Sequence, residues 1–459
     1  MTPLSAAHVA RITNGKVISG RPDVLVRDLS IDSRSVLPGD MFVAFKGATV
    51  DGHRFVAQAL EKGASGAIVT RPLEQDVPVD TKPIVLVEDA LVAVQQLAIH
   101  ERQSFQGPVI GVTGSNGKTT TKDMISTVFS TGGPCLATRG NLNTELGLPL
   151  TLLGRAGTEW SMVLEMGMRG LGQIAELCRI AQPTAGIITN IGHSHLELLG
   201  SQERIADAKG ELLESLPKDG IAALTFGDPW LERIQSRTSA RVLWYGLSNA
   251  ADAYASDLES TEQGTRFIAN VLGQSVPVNL PARGQHNVIN AMGALLLGSV
   301  HGLSLKQMAE ALHNLAPSVG RLRVISGHSE RVIIDDCYNA SPLSMRASLG
   351  VLMEQAQGAN TVAVLGDMFE LGSYERQGHQ EVGEFCAEIG IGEVIAVGER
   401  AVWIAEAAKS AGHTRVQYFA SKTELLRHLE QVIPTHSTVL VKASRGMAME
   451  DIVSSLAKA

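Results

Sequence analysis

Residues 111–121 read GVTGSNGKTTT. An apolar segment (Val109, Ile110, Val112) leads into Thr113, Gly114, Ser115, Asn116, Gly117, Lys118, Thr119 and Thr120, and a helix-like stretch follows over 121–129. Strand, tight turn and helix start are the setting that a phosphate-binding loop requires. Gly114 and Gly117 carry no side chains, so backbone N–H groups can close on the phosphates of a nucleotide. Lys118 would neutralise the terminal phosphates and the Thr119 hydroxyl would ligate Mg²⁺. The strict G-x-x-x-x-G-K pattern is not met, because Val112 stands at its first glycine and Gly111 lies one residue upstream. A glycine turn without a ligand is the bland alternative. Gly-Lys-Thr directly after a strand favours ATP.

Working outward, 459 residues exceed what one core organises and predict about three domains. A hydrophobic fraction of 44% with 19% charged residues is that of a globular protein. The net charge of −8, with no basic block to offset it, argues against a nucleic-acid partner. Cys135, Cys178, Cys337 and Cys386 are scattered with no C-x-x-C pair, which fits reduced thiols better than disulfides or zinc. MTPLSAAHVARITNGKV lacks the apolar core of a signal peptide and no later run is long enough to span a bilayer. The expectation is a cytoplasmic protein with no membrane insertion.

Three blocks are predicted, in an α/β arrangement. Residues 1–106 mix short strands (41–45, 67–69, 84–87) with helices near 56–62 and 91–103, and SFQGP at 104–108 reads as a linker. Within 107–316, strand-like runs at 109–112, 161–164, 185–189 and 220–224 alternate with helical patterns, as in a mostly parallel sheet. The stretches 241–246 and 265–278 read as antiparallel. The block 317–459, opening near Pro317, alternates strands (331–334, 361–365, 393–397, 438–442) with helices as a doubly wound, Rossmann-like fold does, without a dinucleotide fingerprint.

Polar clusters follow the strands of the middle block, where a parallel sheet gathers ligands. Glu165 is either a Mg²⁺ ligand beside Thr119 or a solvated strand end. TNIGHSHLELLGS brings Asn190, His193 and His195. The i, i+2 histidines lack a third soft ligand for zinc, and their place opposite the loop favours a second metal or the phosphates. Lys209 lies on an amphipathic helix beside Ile205, Leu212 and Leu213, where a lysine is ordinarily solvated. Asn141, Asn143 and Thr144 are a helix cap or donors to a phosphate or carboxylate. Asn287 and Asn290 either meet a base edge or tie helix to loop.

Taken in order, TGSNGKTT, TRGNLNTELGLP, EMG, TNIGHSHLE, AKGEL, GQHNVINA, GR and DDCYNASP resemble the ATP-dependent Mur ligases of peptidoglycan synthesis, over essentially the whole chain. IDSRSVLPGDMFVAFKG and DGHRFVAQALEKGA resemble the UDP-binding domain of that family. YNASP, LGDMFELG and KASRGMAME, with no DNPR motif, point to the last ligase of the series. The resemblance implies a small α/β UDP-binding domain, a central P-loop ATPase-like domain and a Rossmann-like domain for the incoming dipeptide. It implies UDP-MurNAc-tripeptide and D-alanyl-D-alanine as substrates, an acyl-phosphate intermediate, ATP with two Mg²⁺ ions, and a monomer. Lys118 and Thr119 keep their roles, Glu165 becomes a first-metal ligand and His195 a second-metal ligand. Lys209 matches a lysine that is carbamylated in many members and then serves that second metal. Asn287 should meet adenine, Asp336 the ribose and Arg321 the phosphates. Asn143 and Thr144 should sit near the reacting carboxylate, Tyr338 and Asn339 near substrate, and Ser33, Arg34, Lys46 and Thr49 near the uridine nucleotide. His193 has no counterpart role. TFGDP at 225–229 departs from the Asn-x-Asp-Asp-Pro run common among relatives, so no ligand role carries over there. A folylpolyglutamate synthase-like ligase would share the loop but has no reason to carry DSR…PGDMFVAFKG. A non-catalytic nucleotide-binding regulator would not need Glu165, His195 and Lys209 together.

Overall fold

The computed structural model describes residues 1–47, 49–73, 82–261, 263–316 and 320–458. Among them, three larger sheets follow one another along the chain. The first has the order Lys16–Ser19, Ile84–Leu86, Gly66–Val69, Asp40–Val43, Asp28–Ser30, parallel except for its first strand. Helix Ala90–Gln103, capped by the Asp89 carboxylate, leads out of it and packs on the second block.

The central sheet runs Gln274–Leu280, Gly264–Val271, Ala253–Thr261, Arg241–Gly246, Ile221–Thr225, Ala185–Ile188, Val109–Thr113, Ser161–Glu165, Cys135–Ala137. Strand Val109–Thr113 is buried at every residue, as its unbroken apolar run requires of a strand covered on both faces. Helix Gln285–Val300, apolar nearly all round, packs against helix Lys118–Phe129 on one side. The chain leaves Val109–Thr113, returns through Ser161–Glu165 on one flank, and only then places Ala185–Ile188 on the other. That reversal opens a crevice at the carboxyl ends of these strands, directly above the loop.

One expectation is corrected. Arg241–Gly246 is parallel to Ile221–Thr225 and also to Ala253–Thr261, so the antiparallel part begins only with the Gly264–Val271 and Gln274–Leu280 hairpin. The reason is the helix Pro229–Ile234, which carries the chain back across the sheet and makes the next strand parallel.

The third sheet has the order Arg323–Ser326, Val332–Asp336, Ser437–Lys442, Asn360–Gly366, Glu393–Val397, Val416–Phe419, parallel apart from its first edge. Pro317, where the last block was expected to open, lies outside the described residues. All four cysteines are free thiols. No helix among the described residues is long and apolar enough to cross a membrane.

Candidate active site

The loop after Val109–Thr113 is braced from beneath. Thr113 Oγ1 donates to the Met166 carbonyl at 2.9 Å, and the Thr189 hydroxyl donates to the Asn116 carbonyl at 2.6 Å. Gly114 holds φ at +149°, and a Cβ there would stand 1.8 Å from Thr189 Oγ1. No side chain fits at that approach. Gly117, at φ +79°, is the residue from which helix Lys118–Phe129 starts. The helix N-terminus thus points into the crevice, with unpaired N–H groups and the positive end of its dipole.

Lys118 folds back on its own loop, with Nζ donating to the Gly114 carbonyl at 2.8 Å. Burial lowers its ammonium pKa; Glu165 opposes that shift and Arg321 adds to it. Glu165, 2% exposed at the end of strand Ser161–Glu165, accepts from the Thr119 hydroxyl and from Asn143 Nδ2, both at 2.8 Å. The solvated-strand-end alternative is therefore excluded.

Lys209 shares a helical face with Ile205 and Leu212, at spacings of four and three residues, on helix Gln202–Glu214. That face is the buried one, and Lys209 is 1% exposed. It has no hydrogen-bond or ion-pair partner among the described residues. Burial, reinforced by the Lys118 cation, holds its pKa well below the usual lysine value. A lysine read from composition as a solvated face residue is thus an interior one.

His195 starts the short helix Leu196–Leu199 at φ +66°, a conformation costing a non-glycine residue about 1 kcal/mol. Its Nδ1 lies 2.6 Å from Glu370 Oε2 without hydrogen-bond alignment. Burial, then the Lys118 and Lys209 cations, lowers its pKa to about 4 against the opposing pull of Glu370. The ring is neutral at physiological pH, with a nitrogen lone pair to offer.

The third block closes the site. Arg321 lies over the Tyr338 ring at 4.2 Å and donates to Thr119 Oγ1 at 2.9 Å. The Ser341 hydroxyl caps helix Pro342–Ala356 and donates to Asn116 Oδ1 on the loop at 2.9 Å. Asp336 accepts from Ser348 Oγ at 2.6 Å, from the Leu322 amide at 3.2 Å, and from buried Lys442. Asn287 lines the cavity, and its Nδ2 donates to the Arg283 carbonyl at 2.7 Å.

A cavity of about 1550 Å³ lies between the central and third blocks. Every predicted site residue of those two blocks lines it, save Thr113 and Gly114. Those two, expected at the nucleotide, support the loop from below. The four candidates of the first block do not reach this cavity. Ser33 donates to Gln58 Oε1 at 2.9 Å, exposed Arg34 pairs with Asp32 at 2.7 Å, and Lys46 and Thr49 are exposed. Glu370 and His286, both on the cavity wall, were not singled out from sequence. LGDMFELG carried the first inside a quoted motif, and GQHNVINA the second.

The donor set fits Mg²⁺ that arrives with a nucleotide. No group of three His, Cys, Asp or Glu side chains suited to a metal exists among the described residues. What converges is one hydroxyl, one held carboxylate, one neutral imidazole and one buried amine. Mg²⁺ commonly takes only one or two protein carboxylates and completes its shell with phosphates and water.

Three family models match in chain order: the Mur ligase family catalytic domain over residues 26–102, the Mur ligase middle domain over 112–298, and the Mur ligase glutamate ligase domain over 320–445. The chain is 37% identical over 459 residues to the UDP-N-acetylmuramoyl-tripeptide–D-alanyl-D-alanine ligase of Bacillus subtilis strain 168, covering 99% of both chains. A crystal structure of MurF from Acinetobacter baumannii superposes with a TM-score of 0.90 at 34% identity, covering 99% of this chain and 98% of that one. A MurF ligase from Thermotoga maritima, solved in complex with ADP, superposes with a TM-score of 0.81 at 30% identity, covering 94% and 97%. With sheet order, crevice and loop already in agreement, the chain belongs to the Mur ligase family.

Proposed function

We infer that the protein joins D-alanyl-D-alanine to UDP-MurNAc-tripeptide and converts ATP to ADP and phosphate. The observation that carries this reading is the convergence of Lys118, Glu165, His195, Lys209 and Arg321 on one cavity between two blocks. Nucleotide binding alone needs the loop and a base pocket. It does not need a held carboxylate, a neutral imidazole and a buried amine opposite them. The full-length likeness to a ligase of that name supports the substrate assignment.

In this reading the tripeptide carboxylate attacks the γ-phosphorus of ATP, the bond to the bridging oxygen breaks, and ADP leaves. The dipeptide amine then attacks the acyl phosphate, a proton is lost from nitrogen, and phosphate departs. Lys118 exchanges its loop carbonyls for phosphate oxygens, and Arg321 reaches the same charge from the opposite wall. The amide of Asn143 and the hydroxyl of Thr144 stand by the carboxylate that reacts. Asn287 and Asp336 flank the base and ribose end, and Tyr338 and Asn339 the dipeptide side. Mg²⁺ would be held by Thr119 and Glu165 at one position and by His195 and Lys209 at a second, and when bound would supply positive charge beside the phosphates. Lys209 suits that position as a carbamate: its neutral amine adds CO₂, an N–C bond forms, and a proton goes to solvent. Ser33, Arg34, Lys46 and Thr49 remain the uridine-nucleotide candidates. The acyl phosphate hydrolyses readily, and a cavity closed by the third block excludes water. One chain supplies all the walls of that cavity, consistent with a monomer acting in the cytoplasm on soluble precursors.

ADP release with ATP, UDP-MurNAc-tripeptide and D-alanyl-D-alanine, each omitted in turn, tests the reaction. Sustained turnover should require all three. Unchanged ADP release without D-alanyl-D-alanine would refute the ligase reading.

A further inference from the structure

The segment 193–199 of the central block meets the segment 369–374 of the third block. The Glu197 amide donates to the Glu370 carbonyl at 3.2 Å, and Glu370 Oε2 lies 2.6 Å from His195 Nδ1. Gly372, at φ +54°, comes so close that a Cβ there would stand 2.7 Å from Glu197 Cα. Glu370 is itself in the left-handed region, at φ +62°. Two residues with positive φ, His195 and Glu370, therefore face each other across the seam, and something must hold both segments in register. A ring stack adds to the backbone contacts that do so. The His193 imidazole stacks on the Tyr374 ring, with centroids 4.3 Å apart and planes 29° from parallel. Tyr374 is anchored by its own block, through its hydroxyl to Glu381 and its amide to the Leu371 carbonyl at 3.1 Å.

We propose that His193 and Tyr374 are a positioning pair, which docks the loop 369–374 on the central block and so sets Glu370 against His195 when the cavity is closed. His193 is then neither a metal ligand nor a phosphate ligand, although it sits two residues from His195. Its task is carried by an aromatic face, and any ring of similar size does it. The proposal rests on the ligase reading above, because the state it stabilises is the closed one that protects the acyl phosphate.

The test is a set of variants assayed for kcat, for KM of ATP and for Mg²⁺ requirement, each as a ratio to the parent protein. Failure of the parent to ligate would count against the function, and only the ratios bear on the pair. His193→Ala and Tyr374→Ala should each lower kcat about fivefold, the order expected for one aromatic contact at a two-state interface, with KM for ATP within about twofold. His193→Phe and Tyr374→Phe should restore turnover, and the double alanine variant should lose no more than either single one. The pair is overturned if His193→Phe is as slow as His193→Ala, if His193→Phe raises the Mg²⁺ requirement, or if the two single losses multiply.

Discussion

The seam between the central and third blocks gathers its candidate residues around one cavity, and the outer surface of the first block leaves its candidates apart. At the seam, residues up to 225 positions apart meet within hydrogen-bond distance: Ser341 with Asn116, Arg321 with Thr119, and Glu370 beside His195. In the first block, Ser33 and Arg34 turn to local partners, Lys46 and Thr49 to solvent, and none of the four lines the cavity at the seam. Both sheets are largely parallel, and the difference is that the third block covers the strand ends of the central one. A residue that follows a buried strand in such a sheet is delivered to the crevice whatever its loop does. A residue on a short loop of a small five-stranded sheet has no such guarantee, and exposed Arg34 pairs with its near neighbour Asp32.

The contrast can be broken most decisively at Lys118. Lys118→Ala should lower ligation about 10²–10³-fold with the fold retained, as checked by circular dichroism and initial rates. Near-normal phosphate release would remove the seam as the catalytic centre. Lys209→Ala should cost nearly as much, and short carboxylates added to the assay should recover part of the loss; no recovery would leave burial of Lys209 as a structural matter only. Arg34→Ala should raise KM for the UDP substrate about tenfold, the worth of one charge-assisted contact, and leave KM for ATP alone. An unchanged KM would take Arg34 out of the nucleotide site and widen the contrast further.

The smallest effect is on stability against pH. His195 and His286 are both held near about 4 by burial, against 6.5 for a free imidazole. Between those values the unfolded chain binds protons that the native state refuses. Stability is therefore whole above pH ~6.5, falls as the pH drops toward 4 by at most roughly 1.4 kcal/mol per unit for each ring, and then levels for these groups. Urea titrations at several pH values check the slope, and His286→Gln should reduce it by the share of that ring.

Much of the fold was legible because its strands are continuous apolar runs. Val109–Thr113, Ala185–Ile188, Glu393–Val397 and Ser437–Lys442 lie within a residue of their expected bounds. Arg323–Ser326 and Val416–Phe419 escaped notice because they are edge strands, exposed on one side and without an apolar run. Arg241–Gly246 was taken for antiparallel because a short helix of six residues, Pro229–Ile234, is a faint signal for a crossover. In the site, the loop and Glu165 followed from strand ends alone. Lys209 did not: a lysine on the face of Ile205 and Leu212 ordinarily reaches solvent with its head, and only tertiary packing buries this one. Glu370 had no local signal, since its partner lies 175 positions away in another block.

The hydroxyl of Ser341 is worth a last consideration. It caps the first turn of Pro342–Ala356 and at the same time holds Asn116, so the order of the phosphate loop and the order of a helix in another block share one atom. The cap, worth about 1 kcal/mol, accepts from the Ser344 amide, while the same oxygen's proton is shared between Asn116 Oδ1 and Ser344 Oγ. One hydroxyl thereby makes the start of a helix in the third block and the tip of the glycine loop in the central block neighbours by a single bond.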